Sequence, residues 1–180
     1  FLRIAKQIKE RMPDVEFLLA GDGPLRAELE REAQALGLGD RAIFLGDRRD
    51  IPAVMASLDV AVLTSDSESL SNVLLEAMAA GLPVVAYDVG GNAELVNEKR
   101  GELISAGDEV AFAAVVEKLL SAPALRAKLG ASARKFAEEN FGLDCVRARY
   151  EACYQTLLEK KGVRTSLGTW RPTTEAQRNG

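Results

Sequence analysis

Apolar and polar positions along the chain fall into blocks, and the period switches between helical and extended several times. Residues 1–11 place Leu2, Ile4, Ala5 and Ile8 at helical spacing. Met12-Pro13-Asp14 closes that segment. Residues 15–20 follow as a nearly all-apolar run of strand length, the pattern of a strand buried on both faces. The turn Gly21-Asp22-Gly23-Pro24 lacks the third glycine of a dinucleotide fingerprint, because position 26 is Arg26. It leads into a helix over 25–36, with Pro24 at the first helical position and Leu25, Leu29, Ala33 and Leu36 on one face. Gly37 and Gly39 break that helix. A strand over 41–46, a short helix over 51–58 and a buried strand over 60–63 come next.

The second half of the chain repeats the alternation. Residues 72–81 read as a helix, with Ser71 or Asn72 as N-cap and Gly81 in the left-handed C-terminal position. Pro83 precedes a strand over 84–87. Gly90-Gly91 opens a loop and a short helix, in which Glu94 is placed to cap, with ligand binding the alternative. A strand over 100–104 and a helix over 109–120 capped by Asp108 follow. Pro123 starts a helix expected to end near Leu129, and the helical pattern resumes over 131–140. A last long helix carries Phe141, Val146, Tyr150, Cys153, Tyr154, Leu157 and Leu158, an apolar side expected to pack. Alternating helices and near-continuous apolar strands predict an α/β domain built on one doubly wound parallel sheet. It covers residues 1–160, and residues 161–180 read as a flexible polar tail. The opening helix has no N-cap before Phe1, so the expectation is a domain truncated at its N-terminus.

Composition narrows the function. With 47% hydrophobic and 28% charged residues the chain is of soluble globular type. The net charge of −4, with no basic run, argues against nucleic acid as a partner. No stretch approaches the ~20 apolar residues of a membrane span. Cys145 and Cys153 lie eight positions apart in one predicted helix, about 12 Å of rise, too far for a disulfide. Free thiols and no signal peptide point to a cytoplasmic setting. The chain has no histidine, which excludes an imidazole relay within it. No cluster has metal-ligand spacing, and no cofactor is called for.

The chemistry centres on residues 65–85. Strand 60–63, a polar loop, helix 72–81 and strand 84–87 make a βαβ unit. The loop at a strand's carboxyl end is where open α/β sheets bind ligands. Free N–H groups of Ser71, Asn72 and Val73 at the helix start favour an anion such as a diphosphate. Glu68 before the helix and Glu76 inside it would be repelled by that anion, so they are aimed at hydroxyls on either side of it. Hydroxyl, diphosphate, hydroxyl is the layout of a nucleotide sugar.

Glu68-x7-Glu76, the block Ala77-Met78-Ala79-Ala80-Gly81-Leu82-Pro83-Val84-Val85 and then Gly90-Gly91-Asn92-Ala93-Glu94 resemble the donor-site signature of family-4 retaining glycosyltransferases. That family has the two-domain GT-B architecture, and the resemblance spans most of residues 1–160. It implies the C-terminal, donor-binding half of such an enzyme. It assigns Glu68 to the donor sugar near the reacting carbon, as the catalytic residue, and Glu76 to the ribose hydroxyls. Ser69, Leu70, Ser71, Asn72 and Val73 become donor-binding positions. The commonest form of the motif has a glycine after the first Glu, where this chain has Ser69-Leu70-Ser71. The loop after strand 41–46 approaches the base in that family, so Arg48 is a candidate base contact; a solvated Arg48 is the plainer alternative. The partners implied are a nucleotide-diphosphate sugar and an N-terminal acceptor domain absent from these residues. Any peripheral membrane contact would run through that domain. The upstream cations of the donor site are also absent, so the 180-residue chain alone is expected to be inactive. Two other readings share the fold: a sugar-nucleotide epimerase or phosphorylase, and a non-catalytic nucleotide-binding module.

Overall fold

The computed structural model describes residues 1–162. The chain divides after Phe141 into two units. The first alternates helix and strand: α1 (Leu2–Arg11), β1 (Phe17–Ala20), α2 (Arg26–Ala35), β2 (Ala42–Gly46), α3 (Ile51–Ala56) and β3 (Ala61–Leu63). It continues with α4 (Asn72–Ala79), β4 (Val84–Tyr87), α5 (Asn92–Leu95), β5 (Gly101–Ile104), α6 (Glu109–Leu120) and α7 (Pro123–Phe141). All strand pairings are parallel, which makes this an α/β fold.

The strands do not form one ladder as expected. β1 pairs with β2 alone, and β3-β4-β5 form a separate three-stranded sheet. Between them each of β1 and β3 keeps one edge without a strand partner among the described residues. One apolar cluster nevertheless runs beneath both sheets. Ile4, Ala5 and Ile8 of α1 and Phe112, Ala113 and Val116 of α6 pack with Phe17, Val85, Tyr87 and Ile104. The opposite face of the larger sheet is covered by α4 and α7, through Leu74, Ala77, Met78, Ala133 and Ala137 against Ala61, Val84 and Ala86. β4 lies in the middle and all four of its residues are buried, which is why it reads as an unbroken apolar run.

Two sequence expectations change. Leu25 is 60% exposed, because it caps α2 from outside rather than lying on its inner face; Pro24 precedes that cap. Gly130 does not end a helix. α7 runs through it without a break, and Gly130 is buried against the carbonyl of Gly81, 1.9 Å from where its β-carbon would stand. The glycine is there for close approach of α7 to the end of α4, not as a breaker. Gly81 itself has φ +82°, the left-handed C-terminal conformation expected of it.

The described part of the second unit is one helix, α8 (Leu143–Lys160), with both cysteines free on it. Its apolar residues were expected to pack, yet the helix buries none: Tyr150, Tyr154 and Leu157 are all exposed. Tyr150 and Tyr154, one turn apart, face each other instead, with ring centres 6.3 Å apart and planes tilted by 33°. Of the expected tail, residues 163–180 lie outside the described residues.

Candidate donor site

The site is built at the carboxyl ends of β3 and β4. After Leu63 the chain runs as polar loop to Ser71, which caps α4 from an extended conformation. Its Oγ accepts from the N–H of Leu74 at 3.3 Å, and its carbonyl accepts from Leu75 at 3.2 Å. Those bonds account for the third and fourth amides of the helix start. Among the described residues no hydrogen-bond partner is found for the amides of Ser71, Asn72 and Val73. These are the three free N–H groups that the sequence predicted. They leave the positive end of the α4 dipole open. Ser71 itself is buried at 3% exposure, whereas Asn72 and Val73 are exposed.

The loop after β4 fixes the loop that carries Glu68. Gly91 donates its N–H to the carbonyl of Glu68 at 3.2 Å. A β-carbon on Gly90 would lie 1.5 Å from that same oxygen, and one on Gly91 would lie 1.8 Å from the carbonyl of Ser69. The two glycines are therefore required by backbone-on-backbone contact, and Gly90 also sits at φ +50°. Glu94 does not cap α5. The amide that a capping carboxylate would take, that of Gly91, is already given to Glu68.

The side chains of the predicted site fall as follows. Glu68 is half-buried in the loop; Ser69 and Leu70 are exposed beside it; Glu76 is exposed on the second turn of α4. Arg48 stands in another loop, after β2, and is bound in a two-pronged pair with Asp50 at 2.8 and 2.6 Å. That hydrogen bonding holds the Asp50 carboxyl below its ordinary value. The structure thus brings Glu68, the three free amides and Glu76 into one continuous stretch. It shows no contact between that stretch and Arg48.

Asn92 was missed as a structural residue of this region. It is fully buried at the first position of α5, and its Nδ2 donates to the carbonyl of Tyr87 at 3.0 Å. Its Oδ1 is buried without a partner. The bond ties the end of β4 to the start of α5 and so holds the Gly90-Gly91 loop against Glu68. The signal in the sequence is a lone amide directly after paired glycines.

A parallel α/β domain with an open helix terminus at the strand carboxyl ends is of the nucleotide-binding class. Comparison with known proteins narrows this. The profile of the family Glycosyl transferases group 1 matches residues 1–136. The 2-deoxystreptamine glucosyltransferase of Streptomyces kanamyceticus is 40% identical over 152 residues, which are 82% of this chain and 39% of that protein. The N-acetyl-alpha-D-glucosaminyl L-malate synthase of Bacillus anthracis is 34% identical over 146 residues, 81% of this chain and 38% of that protein. The chain thus spans about two fifths of the length of these relatives. Anabaena Alr3699/HepE in complex with UDP superimposes with a TM-score of 0.81 at 29% identity, over 86% of this chain and 44% of that one. The C-terminal domain of a glycosyl transferase group 1 family protein, LpcC of Francisella tularensis, matches with a TM-score of 0.72 at 26% identity. It covers 79% of this chain and 78% of that domain. The chain belongs to the group 1 glycosyl transferases, and its fold is the Rossmann-like half of the GT-B architecture. No helix among the described residues is long and apolar enough to cross a membrane.

Proposed function

We propose that this chain is the donor-binding half of a hexosyltransferase that moves a sugar from a nucleotide-diphosphate sugar to an acceptor hydroxyl with retention. The observation that carries this is the open start of α4. Three free amides lie between two glutamates, at the carboxyl ends of parallel strands. A solved relative of the same fold holds UDP, and the same protein is known with UDP-glucose.

In this reading the diphosphate lies at the amides of Ser71, Asn72 and Val73. Together with cations from elsewhere in the intact protein, they stabilise negative charge growing on the leaving nucleotide, an electrostatic stabilisation of the transition state. A helix terminus does this without a metal ion. Its dipole contributes ~0.3–1 kcal/mol when exposed and ~2 kcal/mol when partly buried, so cations from elsewhere in the intact protein must supply the rest. Ser69 and Leu70 line the approach to the sugar. Glu76 accepts hydrogen bonds from the ribose hydroxyls. Glu68 orients the sugar and favours positive charge at the anomeric carbon, with the acceptor attacking from the face that the nucleotide leaves. Arg48 contacts the base once it is released from Asp50.

The chain spans about two fifths of its relatives, so acceptor binding falls to another part of the intact protein. By itself the 180-residue chain binds donor weakly and transfers nothing. The test is turnover of the intact protein with Glu68→Gln and Glu76→Ala. Glu68→Gln is expected to lower kcat by about 100-fold or more, and Glu76→Ala to raise the donor KM by about tenfold. Full activity in both variants overturns the reading, as does inverted anomeric configuration of the product by NMR.

A further inference from the structure

β2 and β5 each hydrogen-bond to a strand on one side only, β2 to β1 and β5 to β4. The two free edges differ in how they are guarded. β5 carries a charge within the strand, Glu102, to which Lys118 of α6 donates at 2.8 Å. Charges of that kind keep an open edge from pairing with another chain. β2 has none: Ala42, Ile43, Phe44, Leu45 and Gly46 are uncharged throughout, and the first four are half-buried. Its backbone has one side-chain partner among the described residues, Arg26, which donates to the Phe44 carbonyl at 3.3 Å. Strand alternation divides the side chains between two faces. Ala42 and Phe44 pack on the apolar cluster that contains α1 and α6, whereas Ile43 and Leu45 join neither cluster.

We propose that the β2 edge is a homodimer interface, where it pairs antiparallel with β2 of a second copy about a two-fold axis at Phe44. The sequence around the strand identifies the occupant, because it is complementary to itself. Turned about Phe44, the strand sets Phe44 against its own copy. Ile43 then meets Leu45 of the second copy, and Arg41 meets Asp47 of the second copy. Each pair lies on the axis or occurs twice, as an isologous interface requires. Aromatic, aliphatic and opposite-charge pairs are those that stabilise antiparallel strands. A parallel pairing in register would instead set Arg41 against Arg41 and Asp47 against Asp47, and like charges directly opposite repel. Both charges are available. Asp47 is exposed and has no ion-pair partner among the described residues. Arg41 is held loosely, 3.4 Å from Asp14 and 3.5 Å from Glu16, two carboxylates that are themselves more than half exposed. A single short ladder buries little surface, so the dimer is reversible and concentration-dependent. This inference does not rest on the donor-site reading.

The test is sedimentation of the intact protein, and of its Arg41→Glu and Asp47→Lys variants, from about 1 to about 500 µM. The parent is expected to dimerise with a midpoint of about 10–100 µM, weakened about tenfold or more by either substitution. An equimolar mixture of the two variants should recover association to within about threefold of the parent, because each reversed charge meets its opposite across the pair. Filtered NOEs in a mixed-label sample of the parent should join Ile43 to Leu45 of the other copy, and they decide the matter even where a variant fails to fold. A monomer at every concentration overturns the proposal, as does a dimer that neither substitution weakens. So do folded variants whose mixture stays monomeric, or NOEs that join the β2 edge to another segment of the same chain.

Discussion

Gly90 stands against the backbone of Glu68 so closely that a β-carbon would lie 1.5 Å from the Glu68 carbonyl oxygen. The position of the proposed catalytic glutamate is therefore set from the neighbouring loop, by backbone contact. Gly90→Ala is expected to displace the Glu68 loop and lower kcat by at least about tenfold. Gly107→Ala is the control: Gly107 also has positive φ, at +83°, but a β-carbon there meets nothing within 4 Å. It should cost only the left-handed strain of about 1–2 kcal/mol, with activity unchanged. Thermal unfolding and turnover of both variants separate strain from displacement.

The second glycine contact is structural. Gly130→Ala drives a methyl group into the Gly81 carbonyl and forces α7 off α4. Overpacking of this kind costs about 1–3 kcal/mol. Urea unfolding should show at least that loss, with the donor affinity of the folded protein retained. A neutral variant would mean that α7 has room to move.

Arg100 is a further point of stability. Its guanidinium lies 3.7 Å from the Phe136 ring centre, and its Nε donates to the Leu95 carbonyl at 2.7 Å. Burial holds its pKa below the ordinary arginine value. Arg100→Ala should cost about 2–3 kcal/mol, from the lost cation–π contact and the orphaned carbonyl. Arg100→Lys should recover little, because an ammonium cannot stack flat on the ring. Denaturant midpoints of the two variants check this.

The Arg48–Asp50 pair has a pH signature. Its hydrogen bonds lower the folded pKa of Asp50 from the ordinary 3.8. A lowered carboxylate favours the folded pair above the ordinary value and loses it as pH falls through the depressed one. The pair is thus closed at neutral pH, and in the proposed reading Arg48 reaches the base only when the pair opens. An NMR titration should place the Asp50 midpoint lower in the parent chain than in Arg48→Ala. Asp50→Ala should free Arg48 and tighten nucleotide binding severalfold; an unchanged affinity would remove Arg48 from the site.

Most of the fold was legible because its signals are local. β4 is an uninterrupted apolar run, Asp108 caps α6 as expected, Ser71 is the one of two candidate residues that caps α4, and Gly81 takes the left-handed turn. What was not legible depends on contacts between distant segments. Gly130 looks like a breaker in sequence, and only the approach of Gly81 shows why a helix runs through it. Glu94 has capping-box spacing, but its target amide is taken by Glu68 from another loop. The split of the sheet is likewise invisible in the pattern, because β1 and β3 read as strands whether or not a neighbour joins them. In the site, the open amides followed from a polar loop running into a helix start, whereas the roles of Gly90, Gly91 and Asn92 required the fold.

The central claim is that the start of α4 and Glu76 together hold a nucleotide diphosphate. Calorimetric titration of UDP, GDP and ADP into the intact protein and into its Glu76→Ala variant tests it most directly. The account predicts selective binding of one nucleotide, weakened about tenfold in the variant. Equal affinity in the two proteins, or no binding of any of the three nucleotides to the parent, would contradict it.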